Sequence, residues 1–119
     1  MAQPSSACGA LPPLPSLYAN DPAMKEVVEE FIGDIPERVR SIRTAFESGN
    51  RVDLTRLAHQ LRGAGAGYGY PALTSAAGAL EDQLRALPND AALSSVAQEV
   101  DELVMLCERA LRGGRGGTN

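Results

Sequence analysis

Between Met24 and Phe46, apolar residues return at intervals of three or four: Met24, Val28, Phe31, Ile35, Val39, Ile42 and Phe46. That period lays them along one face of an α-helix and is incompatible with the two-residue period of a half-buried strand. Asp21 before Pro22 predicts the start, with Asp as N-cap and Pro at a first-turn position where its missing N–H is harmless. Pro36 falls inside the stripe and removes the bond to the Ile32 carbonyl, so a bend is expected near Gly33-Asp34. The stripe keeps its phase across the proline, which predicts one bent helix ended by Gly49.

Three further stripes follow. Asn50 is placed to cap a helix whose inward residues are Leu54, Leu57, Ala58, Leu61, Gly65 and Tyr68, with Asp53 favourable in its first turn. Gly69-Tyr70-Pro71 breaks it and opens a third, with Leu73, Ala76, Ala77, Leu80, Leu84 and Leu87 inward. Pro88-Asn89-Asp90 is expected to supply the next turn and cap, before a helix burying Leu93, Val96, Val100, Leu103, Cys107 and Leu111. The expected fold is all-α: an antiparallel up-down four-helix bundle over residues 21–112 with short turns. Residues 1–20, with four prolines among small residues, are expected to form a mostly disordered tail, from which Leu14, Leu17 and Tyr18 can still pack on the bundle. A Gly-rich disordered tail is expected over 113–119.

Several function classes are disfavoured. A net charge of −4 over 119 residues argues against non-specific nucleic-acid binding. No apolar run approaches the roughly 18 residues of a membrane span, and the Pro-rich start lacks the basic and apolar segments of a signal peptide. Cys8 in the tail and Cys107 on a core face suggest two reduced thiols and a cytoplasmic location, not a disulfide or metal framework. A loose tail after Met1 leads us to expect a free-standing protein, although a fragment of a larger kinase would look similar.

One histidine stands in the whole chain. With about 100° per residue and Leu54 at zero, Ala58, Leu61, Gly65 and Tyr68 lie within roughly 40°, whereas His59 lies at about 140° and faces solvent. Thr55, Arg62, Gly63 and Ala66 surround it on the helix surface. A lone histidine is commonly a satisfied core residue or an incidental surface one. Two features argue for more. Gly63 and Gly67 face outward in a helix, where each costs up to about 1 kcal/mol relative to Ala; outward glycines beside a reactive group make sense where another protein must approach the backbone. Arg62, three residues on, is on the same side and suited to phosphate oxygens. Rival chemistries are weak: the Gly run does not match G-x-G-x-x-G, no metal-ligand cluster accompanies the histidine, and no serine or cysteine nucleophile sits beside it on its helix.

His59, Leu61, Arg62, Gly63 and the later Gly69 resemble the H-x-[IL]-[KR]-G signature of histidine phosphotransfer (HPt) domains. Phe31, Pro36, Glu37 and Arg38 similarly resemble the F-x-x-x-x-P-E-R pattern of the family's first long helix, and the resemblance covers roughly residues 22–110. Arg62 stands where Lys is more usual, and Ala64 and Gly65 replace a common Ser/Ala pair. The form from His59 to Tyr70 looks closest to the phosphotransfer domains of chemotaxis-type histidine kinases, in which a glutamate on the next helix bonds the histidine's Nδ1. Glu81 matches it by offset. Its height fits independently, since His59 lies ten residues before the Gly69 turn and Glu81 twelve after it. The other reading of Glu81 is a surface carboxylate paired with Arg85 at i+4.

The resemblance implies a phosphoryl carrier in a two-component phosphorelay, not an enzyme with its own ATP site. His59 would accept the phosphoryl group on Nε2 from a histidine kinase, a hybrid kinase or a receiver domain and pass it to a receiver aspartate. Arg62 would offset phosphate charge, Glu81 would orient Nδ1, and Thr55, Gly63, Ala66 and Gly67 would face the docked partner. No cofactor is implied, Mg²⁺ being supplied by the response-regulator receiver domain, and the expected state is a monomer bound to neither membrane nor nucleic acid. A helical adaptor that binds receivers or kinases without carrying phosphate is the alternative; an orphan helical enzyme is a distant third.

Overall fold

The computed structural model describes residues 12–116, and these form four α-helices with no strand among them. Helix α1 spans Pro22–Glu47, α2 Arg51–Gly67, α3 Pro71–Ala86 and α4 Ala97–Gly116. Sequence and structure agree on the caps of the first two. Asp21 accepts from the Ala23 amide at 3.0 Å, and Asn50 Oδ1 accepts from the Asp53 amide at 3.0 Å. Helix α1 is continuous through Pro36. Its inner face buries Val28, Phe31, Ile35 and Ile42, as the stripe predicts, and adds Ile32 and Ala45.

The α1–α2 and α2–α3 turns pass through Gly49 (φ +73°) and Gly69 (φ +85°), left-handed conformations that glycine enters without a Cβ penalty. Tyr70, read in the sequence only as part of a helix break, is 1% exposed. Its ring lies 5.7 Å from that of Phe31, which also stacks on Tyr68 at 4.8 Å. Burying three rings together at this turn seats the start of α3 on α1.

The fourth segment departs from expectation. Pro88 does begin a turn, its carbonyl accepting from the Ala91 amide, but Asp90 caps no helix. A 3₁₀ turn over Leu93–Val96 comes first, and the α-helix starts only at Ala97. A 3₁₀ turn brings residues three apart into line, so Val96 enters the core with Leu93 packed at its edge. Val100, Leu103, Val104, Cys107 and Ala110 continue that face. Burial pushes the Cys107 thiol up to about 12, which leaves it a neutral core residue.

At the chain's ends, the expected tails fall partly outside the described residues, Cys8 included. Residues 12–20 lie against the bundle. The Leu14 amide donates to the Arg109 carbonyl (3.0 Å), Ser16 Oγ to the Tyr68 carbonyl (2.6 Å), and the Leu17 amide to the Gly69 carbonyl (2.8 Å). Leu14 and Tyr18 pack on the core as anticipated. Leu17 does not; its side chain is exposed because its backbone, not its side chain, meets the turn. Helix α4 runs on to Gly116, past the boundary expected at residue 112. Gly113 allows this, since a Cβ there would come within 2.5 Å of the Leu14 carbonyl oxygen.

Helices α2 and α3 pack most closely. Arg51 at the start of α2 donates to the carbonyls of Leu84, Leu87 and Pro88, capping the end of α3 with a cation. Near the other end, a Cβ on Gly65 would meet the Thr74 backbone nitrogen at 2.9 Å, so the two backbones approach as only glycine permits. Early residues of α2 thus face late residues of α3, and the two helices run in opposite directions. That register decides what stands opposite His59.

A candidate phosphohistidine site on helices α2 and α3

His59 projects from the middle of α2 with its side chain 68% exposed, outside the buried stripe as the helical wheel predicts. Opposite it, Glu81 on α3 is only 4% exposed. His59 Nδ1 lies 3.0 Å from Glu81 Oε2. The sequence left Glu81 with two readings, a partner of His59 or of Arg85, and both contacts are present. Arg85 Nε and Nη2 donate to the same Oε2 at 2.9 and 2.6 Å. Arg62 Nη1 reaches the other oxygen, Oε1, at 3.2 Å.

A buried carboxylate would ordinarily resist ionisation. Here the hydrogen bonds from Arg85 outweigh that desolvation and, with those from Arg62 and His59, bring Glu81 down to about 2. An ionised carboxylate can only accept. The His59–Glu81 contact therefore places the proton on Nδ1, and in a neutral ring the lone pair is on Nε2, directed away from Glu81. The geometry presents an exposed imidazole whose Nδ1–H faces Glu81 and whose lone pair lies on Nε2.

Each sequence-predicted site residue has a place in this arrangement. Gly63, Ala66 and Gly67 are exposed, and nothing stands within 4 Å of where a Cβ on either glycine would lie. Thr55 is half-buried, its hydroxyl donating to the Arg51 carbonyl at 2.8 Å, and it lines a shallow groove with Val52, Arg56, His59 and Arg85. The Arg62 side chain is half exposed. Its guanidinium lies on Glu81, with Asp82 Oδ1 at 3.8 Å.

Two residues of the site escaped the sequence reading. In the sequence Arg85 stands only as a competitor for Glu81, and Gly78 carries no distinguishing signal of its own. Gly78 is buried directly beneath Arg62. Thr74, Gly78, Glu81 and Arg85 recur at four, three and four residues, so helical spacing does put them on one face of α3. That signal was available, but a small residue there reads as packing until the crossing side chain is seen. Among the described residues no cluster of three His, Cys, Asp or Glu side chains forms a potential metal site, and no helix is long and apolar enough to cross a membrane.

The family model described as Hpt domain matches residues 26–113, most of the chain and all of the site. The chain belongs to the Hpt family. No curated protein and no solved structure matches it significantly. Hpt domains are phosphocarrier modules of phosphorelays, not catalysts, and interact with kinases and receiver domains of two-component systems.

Proposed function

We propose that His59 is the phosphoacceptor of this Hpt protein, receiving a phosphoryl group on Nε2 from a kinase or a receiver aspartyl phosphate and passing it to a receiver aspartate. The observation that carries this reading is the 3.0 Å contact between Nδ1 of the exposed His59 and the buried, ionised Glu81. In the accepting step from an aspartyl phosphate, the Nε2 lone pair forms the N–P bond as the P–O bond breaks, and the bonding pair leaves with the aspartate carboxylate. The ring then carries a positive charge, which Glu81 offsets through Nδ1–H. In the onward step a receiver carboxylate attacks phosphorus, the P–N bond breaks, and its electron pair returns to Nε2. No proton need leave Nδ1 in either direction.

Arg62 and Arg85 offset negative charge beside the phosphoryl group, and Thr55, Gly63, Ala66 and Gly67 face the docked receiver, which brings Mg²⁺ and most of the transition-state stabilisation. The protein acts as a cytoplasmic monomer, in an antiparallel up-down bundle with a bend in α1. Phosphoramidate, a small donor to accessible imidazoles, tests the central claim without a partner. A ³¹P signal of Nε2-phosphohistidine is expected in the wild type and absent in His59→Gln. Because His59 is exposed and its ring contact is with Glu81, the variant should stay folded and lose at most about 2 kcal/mol, the weight of one hydrogen bond to an ionised acceptor. A folded wild type that takes no phosphoryl group would refute the reading.

A further inference from the structure

Gly78 sits in the interior of α3, where alanine would favour the helix more strongly. The three nearest atoms that a Cβ built there would meet beyond its own helix backbone all belong to Arg62: Nε at 3.3 Å, Cζ at 3.5 Å and Cδ at 3.6 Å. The Arg62 side chain therefore crosses α3 through the space that Gly78 leaves vacant, and this crossing delivers Nη1 to Glu81 Oε1. Thr74 Oγ1, donating to the Arg62 carbonyl at 2.8 Å, secures the start of the same crossing.

The destination matters because Glu81 is contested. Both nitrogens that Arg85 offers fall on a single oxygen, Oε2, the one that also accepts from His59. An arginine and a carboxylate prefer the parallel two-oxygen fork. Arg62 on Oε1 prevents that fork. Without it, the carboxylate is free to turn both oxygens toward Arg85, which draws Oε2 away from Nδ1. We propose that Gly78 is a positioning residue for the reaction at His59: the channel it opens lets Arg62 hold Glu81 Oε1, so that Oε2 stays on Nδ1. The proposal rests on the phosphoacceptor reading for its functional consequence, but its geometric content, the contacts linking Gly78, Arg62, Glu81 and His59, does not depend on that reading.

The test uses the full chain, and the single histidine makes the ring spectrum unambiguous. Gly78→Leu fills the channel with a good helix former. Two-bond ¹H–¹⁵N spectra of the neutral ring should show the Nδ1–H form in the wild type and a shift toward Nε2–H in Gly78→Leu, with thermal stability retained. Phosphorylation by phosphoramidate should slow by about three- to tenfold, the weight of one hydrogen bond. In an Arg62→Ala background, where the tautomer has already shifted, Gly78→Leu should add nothing. An unchanged tautomer in Gly78→Leu, or an undiminished effect without Arg62, overturns the proposal. Should Gly78→Leu fail to fold, Gly78→Ala carries the same two readouts in milder form, since its Cβ already crowds Nε at 3.3 Å. A tautomer shift in a protein that is never phosphorylated on His59 would leave the positioning inference standing and remove the carrier function. Normal phosphorylation with an unmoved tautomer would do the reverse.

Discussion

Replacing Glu81 by Gln keeps the side chain's shape and removes its charge, and the structure sets the size of both consequences. Four hydrogen bonds converge on the two oxygens, one from His59, two from Arg85 and one from Arg62. No cavity opens, so the stability cost is the loss of two ion pairs. Their arginine side chains are 47% and 61% exposed, so each pair is screened and contributes at most about 1 kcal/mol. The expected loss is about 1–2 kcal/mol, or about 5–10 °C in melting temperature for a domain of this size. The effect on His59 is separate. A bond to an ionised acceptor is worth about 1.5–3 kcal/mol against 0.5–1.5 for a neutral one, so the developing imidazolium loses about 1.4 kcal/mol of support, roughly tenfold in rate. Single-turnover phosphorylation of His59 by phosphoramidate, followed by ³¹P NMR beside a thermal melt, reads both quantities. A rate within twofold of wild type would show that Glu81 does not prepare the nucleophile, whatever happened to the melt.

Three further expectations follow from the same structure. Gly67→Ala should stabilise the protein by up to about 1 kcal/mol, because the position is helical, exposed and open; a lower melting temperature would contradict this. Gly63→Trp should leave the melt nearly unchanged and weaken receiver binding at least tenfold by titration calorimetry, and undiminished affinity would defeat the clearance role of the outward glycines. Glu81 also predicts a pH dependence: its folded pKa of about 2 lies below the ordinary 4.5, so its stabilising contribution is complete above pH 4.5 and is lost as pH falls toward 2. The slope of stability against pH in that window should be shallower in Glu81→Gln than in the wild type, and equal slopes would refute the assignment.

Much of this protein is legible in one dimension. The three-and-four spacing of apolar residues specifies four helices because helical geometry alone sorts side chains onto faces. Asp21, Asn50, Gly49 and Gly69 mark boundaries through local backbone chemistry that needs no tertiary partner. The outward direction of His59 follows from the same arithmetic. The start of α4 was misplaced because Leu93 and Val96 satisfy a 3₁₀ turn as well as an α-helix, and packing decides between them. Tyr70 looked like punctuation because its burial depends on the Phe31 and Tyr68 rings across the turn.

The chemistry of the site belongs to the tertiary structure. Helix periodicity puts Glu81 near the edge of an apolar stripe, but it cannot bury the carboxylate or say which of two arginines reaches which oxygen. Those outcomes depend on the register of α2 against α3, set by Arg51 at one end and the close Gly65–Thr74 approach at the other. The lone histidine and its outward direction were therefore determined by the chain itself. The tautomer that leaves the lone pair on Nε2 was decided only when an ionised acceptor from another helix came within 3.0 Å of Nδ1, because a hydrogen bond depends on distance and direction in space and not on separation along the sequence.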